Sequence, residues 1–357
     1  MLTTTRGRSM LSNANPLATL PPGPPLLMVV IDTEEEFNWN APFDRTSRSV
    51  RAMQAQHLAQ DIFRDYSVVP TYVVDYPVAT TPSAIAVLRQ FHDDRECLIG
   101  SHLHPWVNPP NEEDVTAFNS YPGNLDPALE RLKLDLLTEA IAEAFGARPT
   151  IYKAGRYGVG PATTEILTAL GYLIDLSVVP HSSYEADGGP DFRGCLDQPY
   201  WFGPDNSLLE IPLSCGFSGH VTSYGPNLYR AINAPLGRKL RLGALFSRSN
   251  LLTRATLTPE GIDTLRQTEL VNALRRRGYR IFTLNYHSPS LAPGCTPYVQ
   301  TAKDRQALLD NIRRFLDYFF GELGGAATTP IAVRELALSA RMNSQQAWGV
   351  ADEISRR

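Results

Sequence analysis

The sequence predicts an α/β fold in which crossover helices close, or nearly close, a parallel sheet. Three observations lead to this fold class. Strand-like apolar runs alternate with amphipathic helical segments about seven times along the 357 residues. The first run, residues 26–31, is apolar on both faces, which is typical of a central parallel strand. Polar residues follow the ends of these runs, where α/β folds place their functional sites.

The first third of the chain supplies three predicted strands. Apolar residues at helical spacing predict a helix over residues 49–66, and the β-branched run 68–74 predicts the second strand. Residues 83–91 have the pattern of a second helix, and residues 97–101 that of the third strand. The proline-rich stretch that follows is long enough to predict a functional loop.

The middle of the chain continues the alternation. Residues 127–145 form a predicted amphipathic helix, which Gly146 ends. Residues 151–154 are the next strand. Residues 161–170 form a helix for which Gly171 is the predicted C-cap.

The last third completes the pattern. Residues 172–179 and 208–213 are predicted strands, and residues 259–277 are a helix whose basic last turn suits the helix dipole. Residues 281–285 are the last strand. A helix with an apolar stripe over residues 304–320 follows it.

We predict three regions in the chain. Residues 1–25 lack periodicity and form an N-terminal tail, residues 26–322 form the barrel domain, and residues 323–357 form a C-terminal extension. Within the extension, residues 333–354 have a helical pattern and are a candidate contact for a homo-oligomer.

Composition excludes some function classes. The net charge is −4 and charged residues make up 20% of the chain, so the sequence lacks the basic footprint of a nucleic-acid-binding protein. The four cysteines are far apart in sequence, which predicts reduced thiols rather than a disulfide framework. We find no stretch with the pattern of a signal sequence or of a transmembrane segment. We therefore expect a cytoplasmic protein.

Two pairs of polar residues follow the first and the third predicted strands. His102 and His104 stand one residue apart, so an extended backbone places both imidazoles on one face, as half of a metal site requires. Asp32 and Glu34 share a face in the same way after the first strand. The alternative interpretations are a structural pair of loop histidines and a solvated acidic loop.

These pairs predict a metal site. Glu34, His102 and His104 supply one carboxylate and two imidazoles, the ligand mix of a hydrolytic zinc centre, although iron, cobalt or manganese also fit. A bound divalent metal lowers the pKa of its water to about 7 and polarises a carbonyl group.

The remaining strand ends supply candidate catalytic groups. Asp32 is the predicted base, and the guanidinium of Arg156 is the predicted charge that keeps it ionised. His287 is the predicted acid, oriented by Asp175. A backbone N–H just after Arg156 is a candidate donor to the oxyanion. The structural alternatives are that Arg156 ties down a loop and that Asp175 caps a turn.

The order of motifs resembles that of a known family. Asp-x-Glu, His-x-His-Pro-Trp, Arg-Tyr-Gly, Asp-x-Ser-x-x-Pro and Tyr-His-Ser-x-Ser-Leu-x-Pro-Gly resemble the polysaccharide deacetylases with NodB homology, the fourth carbohydrate esterase family, from about residue 26 to residue 320. The resemblance implies a distorted seven-stranded (β/α) barrel, one divalent metal ion, usually Zn²⁺, and removal of N-acetyl or O-acetyl groups from sugars. By motif position it implies the same roles for the seven residues named above.

Two motifs depart from the family pattern. The family's first motif has two adjacent aspartates, whereas this chain has Asp-Thr-Glu. Its second motif is His-x-x-x-His, whereas here the second histidine is His104 and position 106 is Trp106. Asn108 or a water is therefore an alternative third ligand.

The leading function is a metal-dependent hydrolase that deacetylates an N-acetylated amino sugar. A cytoplasmic location favours a saccharide precursor, or a lipid-linked or nucleotide-linked intermediate, over a finished wall polymer. Four aromatic residues are candidates for stacking on sugar rings: Trp106, Tyr157, Tyr200 and Trp201. The alternatives are a hydrolase of a small non-sugar amide and a catalytically silent saccharide-binding barrel.

Overall fold

The structure is a computed structural model and describes residues 14–17, 20–218, 225–232 and 253–355. Residues 1–13 and 18–19 of the predicted tail and residues 356–357 of the extension lie outside these ranges. The strands are β1 (Asn15–Pro16), β2 (Leu26–Thr33), β3 (Thr71–Val74), β4 (Leu98–Leu103), β5 (Ile151–Ala154), β6 (Ile174–Asp175), β7 (Tyr200–Phe202), β8 (Leu208–Glu210), β9 (Cys215–Ser218), β10 (Thr253–Thr256), β11 (Ile281–His287) and β12 (Ala326–Ala327). The helices are α1 (His57–Asp65), α2 (Tyr76–Thr80), α3 (Pro82–Asp93), α4 (Pro127–Phe145), α5 (Thr163–Leu170), α6 (Gly225–Ile232), α7 (Thr264–Arg276), α8 (Ala302–Leu316) and α9 (Pro330–Ser355).

Seven of the described strands form a continuous parallel series, in the order β8–β6–β5–β4–β3–β2–β11. β7 is antiparallel to β8, and β1 is antiparallel to β7, so these two short strands end the sheet on one side. β12 pairs with the first two residues of β2. The parallel sheet and its helical crossovers confirm the predicted α/β fold class.

The sheet curves but is not hydrogen-bonded into a closed barrel in the described ranges. Between β8 and β11 the gap is spanned by single backbone hydrogen bonds. Leu257 N–H donates to the carbonyl of Ser214 (2.8 Å), and Asn285 N–H donates to the carbonyl of Leu257 (3.1 Å). The fold is therefore a distorted barrel in which one seam carries isolated bonds instead of a ladder.

Alternation along β2 sorts its side chains between two cores. Leu27, Val29 and Ile31 pack outward under the helices, whereas Met28 and Val30 belong to a separate cluster inside the sheet. Each fully buried aliphatic side chain contributes about 1.5–3 kcal/mol. Asp32 continues the inward series and is also buried, at the carboxyl end of the strand.

Helix ends match their local sequence signals. The side chain of Asp126 accepts from Ala128 N–H at the start of α4, and Gly146 ends the helix with a left-handed φ of 83°. Thr301 and Asp304 form a capping box at the start of α8. Such caps contribute about 1 kcal/mol each and fix where each crossover returns to the sheet.

The C-terminal helix α9 covers the end of the barrel at which the parallel strands begin. Its Val333 and Ala337 join Met28 and Ile281 in the inner cluster. The helix predicted over residues 333–354 is thus present. In the described part of the chain, no helix combines the length and apolar character needed to span a bilayer.

Several predicted elements are shorter than expected. The predicted helix 49–66 is a 3₁₀ turn, Arg51–Ala55, followed by α1. The predicted strand 172–179 contains only β6, because the chain after Asp175 turns through hydrogen bonds to Ser177. The predicted strand 68–74 begins at Thr71.

Candidate metal centre and its cleft

Seven of the predicted site residues line one cleft of about 340 Å³ at the carboxyl ends of the parallel strands, Arg156 and Tyr157 among them. The other five are Asp32 near the end of β2 and Glu34 just after it, His102 near the end of β4 and His104 just after it, and His287 at the end of β11. The register of the sheet brings them together, because His287 pairs directly with Asp32.

The predicted ligand atoms face one another. Oε2 of Glu34 lies 3.5 Å from Nε2 of His102 and 3.5 Å from Nε2 of His104. All three side chains are buried, and their ligand atoms lie within 4.8 Å of one another.

The hydrogen bonds on the far side of each ring fix which nitrogen faces Glu34. Nδ1–H of His102 donates to the carbonyl of Lys153 (2.9 Å), and Nδ1–H of His104 donates to Oε2 of Glu35 (2.8 Å). Each neutral ring therefore turns its unprotonated Nε2 toward Glu34, the arrangement that oriented metal-ligand histidines adopt.

The group fits a divalent cation. Oε1 of Glu34 is buried and has no hydrogen-bond partner among the described residues, so three acceptors converge with no donor between them. Burial raises the pKa of Glu34 to about 7 and lowers the pKa of His104 to about 4. A cation among these atoms satisfies them together, and a carboxylate with two imidazoles is a ligand set that suits zinc.

A second acidic group lies behind His104, but its oxygens already have donors. Glu35 accepts from His104 and from Nε1–H of Trp106 (2.7 Å). Asp75 accepts from the backbone N–H groups of Glu35 (2.7 Å) and Val78 (2.8 Å). Although Glu35, Asp75 and His104 could geometrically hold an ion, this satisfied network acts as a support that orients the His104 ring.

Trp106 belongs to the same support and not to the cleft lining. Its ring stacks on His104 with centroids 4.3 Å apart, and its side chain is buried. Trp106 is therefore absent from the cleft lining, where the prediction of sugar stacking placed it. Asn108, the alternative ligand, does not line the cleft, and its amide N–H groups donate to the carbonyls of Pro109 and Lys133.

The positive charge that keeps Asp32 ionised comes from Lys153, which the sequence motifs do not indicate. Nζ of Lys153 donates to both carboxylate oxygens of Asp32 (2.5 and 2.7 Å), and the amide of Asn285 donates to Oδ1 (3.1 Å). Burial opposes ionisation of Asp32, but the charges of Lys153 and His287, with the nearby imidazole of His102, outweigh it and lower its pKa to about 2. Asp32 is thus held as a carboxylate.

Arg156, the predicted partner of Asp32, contacts other groups instead. Its guanidinium donates to Oγ of Ser120 (2.6 Å), pairs with Asp187 (3.3 Å) and lies 4.1 Å from the ring centroid of Tyr121. This corrects the predicted contact, because the side chain turns toward the loop at residues 117–121. Arg156 still lines the cleft, as does Tyr157 beside it.

His287 has Glu260 as its partner, not Asp175. Nδ1–H of His287 donates to Oε2 of Glu260 (2.8 Å), and its Nε2 lies 3.7 Å from Oδ2 of Asp32. Burial alone would lower the pKa of His287, but Glu260, Glu34 and Asp32 raise it to about 10. The ring is therefore held in its protonated form.

The alternation of β6 explains why Asp175 cannot reach His287. Ile174 and Leu176 point into the inner cluster, so Asp175 points outward. There it accepts from Ser177 and lies in register with Glu210 of β8. Burial raises the pKa of Asp175 to about 6, and burial together with the neighbouring Asp175 raises the pKa of Glu210 well above its usual range.

The other two predicted stacking residues also lie away from the cleft. Tyr200 is fully buried in the outer core. Trp201 packs in the inner cluster, 5.7 Å from the guanidinium of Arg334 on α9. Of the four predicted aromatics, only Tyr157 lines the cleft, and six rings that were not predicted join it: Phe37, Trp39, Phe43, Tyr121, Tyr184 and Tyr298.

Comparisons with known proteins agree with this architecture. No family model and no curated protein matches the chain significantly. Among solved structures, a protein from Mycobacterium smegmatis, provisionally named a polysaccharide deacetylase, matches with a TM-score of 0.53 and 17% identity, over 93% of this chain and 96% of its own. The chain has the fold of the polysaccharide deacetylases. The resemblance seen in the motifs is thereby confirmed at the level of the fold.

Two further solved structures are more distant. An allantoinase matches with a TM-score of 0.48 and 16% identity, over 90% of this chain and 93% of its own. A family 4 carbohydrate esterase from Streptomyces lividans, in complex with acetate, matches with a TM-score of 0.39 and 11% identity, over 86% of this chain and 94% of its own.

Proposed function

We propose that this protein is a metal-dependent hydrolase that removes an acyl group, most simply acetyl, from an N-acetylated amino sugar. The observation that carries the proposal is the convergence of Glu34, His102 and His104 as three buried acceptors. A carboxylate, Asp32, and a protonated imidazole, His287, lie beside them. This combination is what hydrolysis of an amide by activated water requires.

Glu34, His102 and His104 would hold the divalent ion, most simply zinc. When bound, the ion supplies a Lewis acid and lowers the pKa of a water molecule to about 7. The backbone and Glu35 contacts on the far side of each imidazole keep the Nε2 atoms aimed at this position. The ligand geometry therefore does not have to be assembled during each turnover.

Asp32 acts as the general base. Lys153 and Asn285 hold its carboxylate in place, and its pKa of about 2 keeps it ionised at neutral pH. It takes a proton from the attacking water at Oδ2, the oxygen that faces His287. Lys153 compensates the negative charge before the proton arrives.

His287 acts as the general acid toward the departing amine. Its Nε2–H lies on the cleft side of the ring, while Glu260 binds Nδ1–H. This hydrogen bond fixes the orientation of the ring and stabilises the imidazolium. The proposed donor to the oxyanion is the backbone N–H of Tyr157, which directly follows Arg156.

The lining of the cleft supports a sugar as the substrate. Tyr157 and the six other rings provide apolar faces, and the polar lining consists of the metal-ligand group with Asp32, His287, Asn38 and Arg156. A site with aromatic walls and a few convergent polar groups is typical of small-molecule recognition.

Release of acetate from N-acetylglucosamine tests the proposal. We expect turnover by zinc-loaded protein, loss of turnover after chelation, and recovery when zinc is restored. Asp32→Asn should abolish turnover while one equivalent of zinc stays bound, with thermal denaturation as the control for folding. Equal acetate release from chelated and loaded protein would contradict metal dependence. Purified protein that binds no stoichiometric metal would favour the silent barrel instead.

A further inference from the structure

Residues 37–48 form a loop across the mouth of the cleft, which we call the mouth loop. Its two ends are tied together at Glu36. Glu36 N–H donates to the carbonyl of Ser49 (2.7 Å), and its carboxylate accepts from Oγ of Ser49 (2.7 Å) and from N–H of Ala52 (2.6 Å). The two ends of the mouth loop are therefore held close together, as in other compact surface loops.

On one side of the cleft, the mouth loop reaches the segment that follows β11. The ring of Trp39 packs edge-on against His287 with centroids 5.0 Å apart. It also packs against Tyr298 with centroids 5.8 Å apart. These contacts close the cleft beside the proposed acid.

On the opposite side, the mouth loop reaches the segments that follow β4 and β5. The ring of Phe43 packs on Trp106 with centroids 4.3 Å apart and lies 5.1 Å from the guanidinium of Arg156. Arg48 donates to the carbonyl of Val107 (3.2 Å) and ties the same side. Aromatic contacts thus bound the cleft on both flanks.

The enclosed space has the size of a small molecule. Its volume of about 340 Å³ lies near the lower end of the range for small-molecule pockets, roughly 300–1,000 Å³. When an internal unit of a polysaccharide is deacetylated, the polymer chain must extend out of the site on both sides of that unit. The contacts of Trp39 and Phe43 lie on two sides of the cleft, where such a chain would have to pass.

We propose that the cleft accepts a single sugar-sized unit that enters by its end, and that the mouth loop excludes internal units of a polysaccharide. This inference rests on the proposed deacetylase function. It assigns the substrate class as a free N-acetylated amino sugar or a terminal one. Trp39 and Phe43 are then the residues that set substrate length.

The test compares N-acetylglucosamine with the linear chitin hexamer on zinc-loaded protein. We expect kcat/KM not to rise with chain length. We also expect the hexamer to lose one acetyl group, located at a chain end by mass spectrometry. Release of several equivalents from internal units, or a kcat/KM that rises with length, would overturn the inference while leaving the deacetylase function intact.

Binding separates the two proposals. Zinc-loaded Asp32→Asn protein is titrated with the same two sugars by calorimetry. If both bind with similar affinity but the wild-type protein releases no acetate, the deacetylase function fails and the size limit stands. Affinity that increases at least tenfold with chain length, or no binding of either sugar, overturns the size limit.

Phe43→Ala tests the mouth loop itself. Opening this flank should increase acetate release from internal units of the hexamer about tenfold relative to release from the monosaccharide. Phe320→Ala is the matched control, because Phe320 stacks on Tyr66 outside the cleft lining. An unchanged ratio in folded Phe43→Ala protein would contradict the role given to this residue.

Discussion

Replacement of Lys153 by methionine tests whether this lysine carries the charge that keeps Asp32 ionised. Both side chains are almost fully buried and are joined by hydrogen bonds of 2.5 and 2.7 Å. Methionine keeps the length of the side chain and removes its charge, so the variant leaves a buried carboxylate with only the amide of Asn285 and the more distant histidines near it.

The expected cost follows from the pKa of Asp32. Its depression from 3.8 to about 2 corresponds to roughly 2 kcal/mol, at about 1.4 kcal/mol per unit. Burial alone would raise the pKa of Asp32, so the stabilisation that Lys153 supplies is larger than this net figure. Breaking a buried ion pair by removing one partner costs about 3–5 kcal/mol. We expect a loss of that size in the free energy of unfolding of Lys153→Met at neutral pH.

Urea denaturation measures the effect. Because the pKa of Asp32 is lower in the folded than in the unfolded state, the contribution of the pair is complete above about pH 4 and is lost as the pH falls toward 2. The difference between wild-type and Lys153→Met protein should therefore shrink on acidification. The double variant Lys153→Met/Asp32→Asn removes both charges and should recover much of the stability.

Arg156→Met is the matched control for this experiment. Arg156 contacts Ser120 and Asp187 rather than Asp32, so its loss should cost only about 1 kcal/mol. A cost below about 1 kcal/mol for Lys153→Met, or a larger cost for Arg156→Met, would refute the assignment of Lys153 as the partner of Asp32.

Three further replacements test other contacts. Glu35→Gln weakens the support of a ligand imidazole and should reduce zinc affinity roughly 10–100-fold in a chelator competition; unchanged affinity would contradict that role. Glu260→Gln removes the charge that raises the pKa of His287 to about 10, so the alkaline limb of the kcat/KM profile should move to lower pH; an unmoved limb would argue against His287 as the acid. Burial raises the pKa of Glu210 in the folded state, so the free energy of unfolding should fall as the pH rises and this group ionises. Glu210→Gln should reduce the fall that wild-type protein shows between about pH 5 and pH 8. An identical pH dependence in both proteins would exclude Glu210 as the source of the fall.

The metal ligands could be predicted because strand geometry alone relates them. Residues two apart on an extended chain share a face, which places His102 beside His104 and Asp32 beside Glu34. β2 and β4 flank β3 in the parallel sheet, and their carboxyl ends then bring the two pairs together at one edge. The same rule, applied to β6, would have excluded Asp175, since Ile174 and Leu176 occupy the inward positions around it.

The partners of the catalytic groups were harder to predict. Lys153 lies in a four-residue buried strand, and its only signal is a single charge inside an apolar run. Its inward direction depends on the register with His102, which pattern reasoning does not supply. Glu260 lies in a turn between β10 and α7, where no periodicity connects it to His287. The sequence pattern therefore predicted side chains that are related by local backbone geometry, but not those that meet only through tertiary packing.

The aromatic lining shows the same division. Tyr157 follows a strand end, where the sequence pattern indicates a site, whereas Trp39 and Phe43 lie in the mouth loop and reach the cleft through tertiary contacts. Tyr200 and Trp201 were selected as aromatic residues in an irregular region, but they form β7 and are buried in the cores.

A crystal structure of the zinc-loaded protein, with anomalous diffraction at the zinc edge, tests the central claim most directly. We predict one strong peak about 2.0–2.2 Å from Oε2 of Glu34 and from Nε2 of both His102 and His104. A peak in the Glu35–Asp75 network, or no peak beside Glu34 at saturating zinc, would contradict the account.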